Sequence, residues 1–155
     1  MNLSKKKSVR CVSSLALVMS LGLMGGCDTM SGMMGKMGIG GPKTTLELKG
    51  ENEVPPVTTR ASGRSTITVA DDRTVSGSVL IDDMNATAAH IHRGSKGENG
   101  PVIVPLTKTS DKAFSVPANA RLTEAQFADY KAGNLYINVH SAAHPAGEIR
   151  VQLKP

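Results

Sequence analysis

The chain has 155 residues, 39% of them hydrophobic and 3% aromatic, with two cysteines, four histidines and a formal net charge of +5. That length points to one domain. Lys5, Lys6, Lys7 and Arg10 crowd the first ten residues, and without them the rest carries about +1, with no basic stripe interleaved with aromatics, so nucleic-acid binding is excluded as a role.

"MNLSKKKSVR" is a positive start, and the uncharged run "CVSSLALVMSLGLMGG" follows it. Together they have the form of an export signal. The run is too short and too glycine-weighted at its end for a spanning helix of ~20 residues. Cys27 follows Met24-Gly25-Gly26, which resembles a bacterial lipoprotein signal, where the cysteine is lipidated and becomes the new N-terminus. The leucine usual three places earlier is Met24 here, with Leu23 one place before it. Residues 1–26 are therefore expected to be a signal peptide and Cys27 the lipidation site. The membrane is then a partner through that lipid, and the protein is expected in the bacterial cell envelope. Asp28 would keep it on the periplasmic face of the inner membrane if that residue acts as a retention signal. Cys11 leaves with the signal and Cys27 is acylated, so no thiol remains for a disulfide, a metal or a nucleophile.

Residues 27–43 include "DTMSGMMGKMGIGGP", rich in glycine and methionine and without period. This reads as a flexible tether. Met30, Met33, Met34 and Met37 are soft thioethers of the kind that suit Cu(I), and so are candidate accessory ligands.

Residues 44–155 form the domain, and one of that size buries roughly 65% of its unfolded surface. "TTLELKG" alternates at Leu46 and Leu48, and "GRSTITVA" places Ile67 and Val69 on one face. "VSGSVLID", "ATAAHIH", "PVIVPL", "AFSVPA", "NLYINVH" and "EIRVQL" follow as short runs rich in β-branched residues, separated by Gly, Pro, Asn and Asp. Such spacing predicts an all-β fold, a Greek-key-like β-sandwich. One short helix interrupts it in "LTEAQFADYKAG", with Thr123 as N-cap, Gln126 completing a capping box and Gly133 as the stop. Asp71-Asp72 and Asp82-Asp83 read as turn residues between strands.

All four histidines lie in two stretches, "AAHIHRGSKGENGPV" (88–102) and "INVHSAAHPAGEIR" (137–150). In a strand, His90 and His92 point the same way, about 6.6 Å apart, with Ile91 opposite. In "LYINVH", Leu135, Ile137 and Val139 make the apolar face, and Tyr136, Asn138 and His140 the polar one. If the two strands are close in the sheet, three imidazoles converge. Imidazole suits Zn, Cu, Fe and Ni, so His90, His92 and His140 are candidate metal ligands for Cu or Zn. His144, in a turn before Pro145, is a candidate fourth. Glu148 is an alternative ligand or a partner orienting an imidazole. The competing reading is structural: His90 or His92 fixes the loop "RGSKGENGP", and His140 braces the turn into the last strand. Gly94, Gly97 and Gly100 open no helix, so that loop is no phosphate cradle; it reads as a long hairpin connection whose glycines take left-handed positions.

The stretches "LKGENEVPPVTTRASG" (48–63), "AAHIHRGSKGENGPVIVPL" (88–106) and "LYINVHSAAHPAGEIRVQL" (135–153) resemble the CHRD family, named for the domain repeated in chordin and common in bacterial exported proteins. The resemblance implies a β-sandwich and carries over motif residues His90, His92, Gly94, Gly97, Gly100, Pro101, His140, Pro145, Gly147 and Glu148. In chordin such domains belong to a protein that captures growth factors. A fainter likeness is to copper–zinc superoxide dismutases, which also set a His-x-His pair on a strand. This chain has neither their disulfide nor enough histidines for both metals, and it offers no catalytic nucleophile, so it is expected to be no enzyme. Two functions remain: a lipid-anchored domain binding Cu or Zn through its histidines, or a metal-free interaction or structural module presenting loops such as "NEVPPV" to an envelope protein.

Overall fold

The computed structural model describes residues 44–155, so the expected signal, Cys27 and the methionine tether lie outside the described residues. Eleven strands and one α-helix follow in order: β1 (Leu46–Lys49), β2 (Ser62–Ser65), β3 (Thr68–Val69), β4 (Val75–Ser76), β5 (Ser78–Asp82), β6 (Ala86–Arg93), β7 (Val102–Pro105), β8 (Thr107–Ser110), β9 (Ala113–Ser115), α1 (Glu124–Lys131), β10 (Leu135–Ser141) and β11 (Ile149–Gln152). The all-β expectation with one short helix holds. Thr123 caps α1, with its hydroxyl accepting from the Gln126 amide and the Gln126 side chain returning to the Thr123 N–H. Among the described residues, no helix is long and apolar enough to cross a membrane.

Nine strands form one antiparallel sheet in the order β7-β6-β10-β11-β1-β2-β5-β9-β8, while β3 and β4 make a separate ribbon. The layers of the expected sandwich are thus one continuous sheet rolled on itself. β7 and β8 end the sheet on opposite sides, yet only Leu106 separates them in the chain. The Leu106 N–H donates to the Ala89 carbonyl of β6 at 2.9 Å, so one continuous segment draws the two ends together.

Two runs expected as single strands are each split. "GRSTITVA" breaks after Ser65, whose hydroxyl accepts from the Ile67 N–H. "VSGSVLID" breaks at Gly77, where φ is +115°. β8 has no counterpart in the sequence reading because all four of its side chains are exposed and polar, leaving no apolar alternation to detect. The core inside the roll is built from Leu48, Val79, Ile81, Ile91, Phe114, Leu135, Ile137, Val139 and Ile149, with further residues around them.

Candidate metal centre

β6 and β10 are paired neighbours, with Tyr136 opposite His92, Ile137 opposite Ile91 and Asn138 opposite His90. Because side chains alternate along a strand, Ile91, Leu135, Ile137 and Val139 enter the core while His90, His92, Tyr136, Asn138 and His140 share the outer face. Every residue of β10 is buried, so that outer face is covered too. One ring nitrogen from each of His90, His92 and His140 lies within 4.8 Å of the others. The convergence expected from alternation is present.

The hydrogen bonds assign the ring protons. His92 Nδ1 lies 2.9 Å from the Gly100 carbonyl, and His140 Nδ1 lies 3.0 Å from the Pro145 carbonyl. A carbonyl only accepts, so both Nδ1 atoms carry hydrogen and both Nε2 atoms present lone pairs. His90 Nδ1 lies 3.0 Å from His140 Nε2 and donates to it. Burial holds all three imidazoles below the usual histidine range, with neighbouring imidazoles also lowering His90 and His140, and Arg150 also lowering His92, against hydrogen bonds that raise His92 and His140. They are therefore neutral at pH 7, the form that binds metals.

Imidazole nitrogens on one tetrahedral ion at 2.0–2.1 Å stand about 3.3 Å apart; the His90–His140 pair stands at 3.0 Å, joined by a hydrogen bond whose proton an ion would displace. The structural role and the ligand role do not compete. Each Nδ1 braces a loop, as the bracing reading expects, and that same bond aims Nε2. Metal-ligating histidines commonly donate their other nitrogen to a backbone carbonyl in this way.

The covering loops are themselves anchored. Arg150 of β11 is 1% exposed; its guanidinium donates to the Ser95 and Glu98 carbonyls and to Asn99 Oδ1. It also lies 3.4 Å from the centre of the Tyr136 ring, a cation–π contact. On the β6 side, His92 stacks on Tyr136 at 4.8 Å and 10°, and the Tyr136 hydroxyl accepts from the Gly100 N–H. The loop that supplies the Gly100 carbonyl is thus fixed at both ends of its contact. Of the three loop glycines only Gly97 takes a left-handed φ. Gly94 and Gly100 serve close approach instead: a Cβ on Gly100 would overlap the Arg93 carbonyl, and one on Gly94 would press the Tyr136 ring.

A second buried polar group adjoins the histidines. Glu53, in the segment after β1, is 5% exposed, and burial pushes its carboxyl up to about 7 against the lowering influence of Arg150. Glu53 Oε1, Asn138 Oδ1 and His92 Nε2 are all buried without a partner among the described residues. An unpaired buried polar group costs about 1–3 kcal/mol, and these three adjoin one another, with Asn138 next to both Glu53 and His92.

Two sequence candidates stand apart from this cluster. His144 sits in the turn after β10, where its N–H donates to the Ser141 carbonyl and lies near Ser141 Oγ, and its ring does not join the three. Glu148 is occupied by hydroxyls: Thr59 donates to Oε1 and Ser141 to Oε2. Its carboxylate ties the Thr59 segment to the end of β10 rather than orienting an imidazole. Asp72 is the turn residue expected, accepting from the Thr74 N–H and hydroxyl. Glu53 and Arg150 of the covered face lie outside the sequence candidates. Only charge inside an apolar stretch marked Arg150, and nothing local marked Glu53.

No curated protein and no solved structure matches the chain significantly. A family model for the CHRD domain matches residues 44–153, nearly all of the described chain, and the protein therefore belongs to the CHRD domain family.

Proposed function

We propose that this protein is an exported, lipid-anchored metal-binding domain that holds a transition metal, Cu or Zn, through His90, His92 and His140. One observation supports the reading: His92 and His140 each keep an Nε2 lone pair because Nδ1–H is bonded to a backbone carbonyl, and one ring nitrogen from each of them and from His90 lies within 4.8 Å of the others. The donor set fits, since neutral imidazoles suit both Zn and Cu. When bound, the ion would supply charge at an otherwise neutral cluster. The residues supply preorganisation, because the rings are oriented before any ion arrives. His90, the most exposed of the three, gives the side of entry.

The lipid anchor at Cys27 and the envelope location rest on the basic start, the short apolar run and the Gly-Gly-Cys junction. Met30, Met33, Met34 and Met37, thioethers in the sequence before the domain, would serve as accessory ligands for a copper ion. The alternative, docking of an envelope protein without metal, finds support in the exposed Pro55 and Pro56 beside the covered face. Chelator separates the two, as a pure docking module binds its partner equally well with or without it.

The test is calorimetric titration of Zn(II), and of Cu(II) and Cu(I), into the protein and into its His90→Ala/His92→Ala/His140→Ala variant. Stoichiometric binding lost in the variant is the expected result. A folded protein that binds none of these ions contradicts the reading.

A further inference from the structure

We propose that the amide oxygen of Asn138 is the fourth donor of the metal centre, oriented by Glu53 and by the bare Cα of Gly147. The inference rests on the metal-binding reading of the histidines and completes its coordination sphere.

Asn138 lies on β10 directly opposite His90, between Tyr136 and His140 on the covered outer face. It is 3% exposed, and its Oδ1 has no partner among the described residues. That oxygen faces the His92 imidazole, whose Nε2 is equally unpartnered. The His92 proton is committed to the Gly100 carbonyl, so two acceptors face each other with no hydrogen between them. A cation satisfies both at once. The amide nitrogen faces the Glu53 carboxyl and donates to it when that group is ionised, which leaves the amide oxygen on the His92 side.

Gly147 makes that placement possible. A Cβ on it would stand 2.6 Å from Glu53 Oε1 and 2.7 Å from Asn138 Nδ2, and its φ of +134° disfavours other residues. The backbone thus leaves a slot in which carboxyl and amide meet. Asn138 is a ligand in this scheme and Glu53 a positioning residue.

Three imidazoles and an amide oxygen make a neutral, moderately hard donor set. Carbonyl oxygen is a poor match for Cu(I), so the centre selects a divalent ion, Zn(II) or Cu(II), over Cu(I).

The experiment uses the detergent-solubilised full-length protein, its Asn138→Ala and Asn138→Asp variants and the triple-histidine variant, titrated with Zn(II) and with Co(II) as a spectroscopic probe. Asn138→Ala is expected to lose about 10–100-fold in Zn(II) affinity and to change the visible absorption of bound Co(II). Asn138→Asp, which keeps an oxygen donor, is expected to retain the affinity. If Asn138→Ala matches the wild type in both affinity and spectrum, the Asn138 assignment falls while the histidine site stands. If the wild type binds neither ion, both fall. A measurement on the wild type alone covers the case of an unfolded variant. Zn(II) should shift the Asn138 side-chain amide resonances well beyond those of Asn52 and Asn134, and an unshifted Asn138 overturns the proposal.

Discussion

The two faces of the β6–β10 pair are both buried, yet they are built differently. The inner face meets Ile91, Leu135, Ile137 and Val139 with other hydrocarbon, and all four are fully buried. The outer face buries His92, Asn138 and His140 beneath loops that Arg150 of β11 anchors, with His92 Nε2 and Asn138 Oδ1 left unpartnered among the described residues. Apolar burial stabilises by about 25 cal/mol per Å² without any geometric demand. Polar burial stabilises only when every group finds its partner. The inner face therefore holds the fold, and the outer face stores a defined arrangement that the fold can carry.

Substitutions should separate the two faces. Ile137→Ala, on the inner face, is expected to cost about 2–5 kcal/mol in urea unfolding, while the folded fraction keeps its metal affinity. A large loss of affinity in folded Ile137→Ala would mean that the faces are not independent. Arg150→Met comes next, at about 2–4 kcal/mol, because it leaves two carbonyls and Asn99 without their donor. Unlike Ile137→Ala it should also weaken Zn(II) binding, by about tenfold, since the loop bearing the Gly100 carbonyl is released. Faster amide exchange in residues 94–100 alone would be the accompanying signature, and unchanged exchange there would contradict the bracing role.

Glu53→Gln should give the smallest and most pH-dependent effect. Glu53 titrates at about 7 in the fold, against an ordinary 4.5. The folded protein thus keeps a proton that the unfolded chain releases, and stability falls as pH rises from about 4.5 to 7. Glutamine removes that decline, so the variant should gain about 1–3 kcal/mol relative to wild type at pH 8 compared with pH 4.5. The three imidazoles act in the opposite sense. Their lowered folded values cost stability as pH falls below about 6.5, equally in both proteins, so they cancel in the comparison. Parallel stability profiles for the two proteins would show that Glu53 is not a buried acid.

The parity of His90, His92 and His140 was legible in the sequence because side chains alternate strictly along a strand. Their convergence was not, since it depends on β6 and β10 being paired in one register out of several. His144 and Glu148 illustrate the limit: sequence proximity to His140 suggested a shared site, but the bulge after His140 and the turn to Gly147 carry them to a separate hydroxyl network. Glu53 comes from a distant segment and reaches Asn138 only through the folded chain, so no local pattern announced it. The rolled sheet was equally hidden, because closure rests on the single residue Leu106 between β7 and β8, and β8 has no buried side chain to give it a pattern.

The central claim is that Nδ1 of His92 and His140 braces loops and so leaves a lone pair on each Nε2, unpartnered at His92 and accepting from the His90 Nδ1–H at His140. Long-range proton–nitrogen NMR of the histidine rings, at pH 8 and before and after one equivalent of Zn(II), tests it directly. The account predicts Nδ1–H tautomers at both residues in the metal-free protein, with the Nε2 resonances shifting as the ion binds and the Nδ1–H signals retained. Nε2–H tautomers at either residue, or Nε2 signals indifferent to Zn(II), would contradict it.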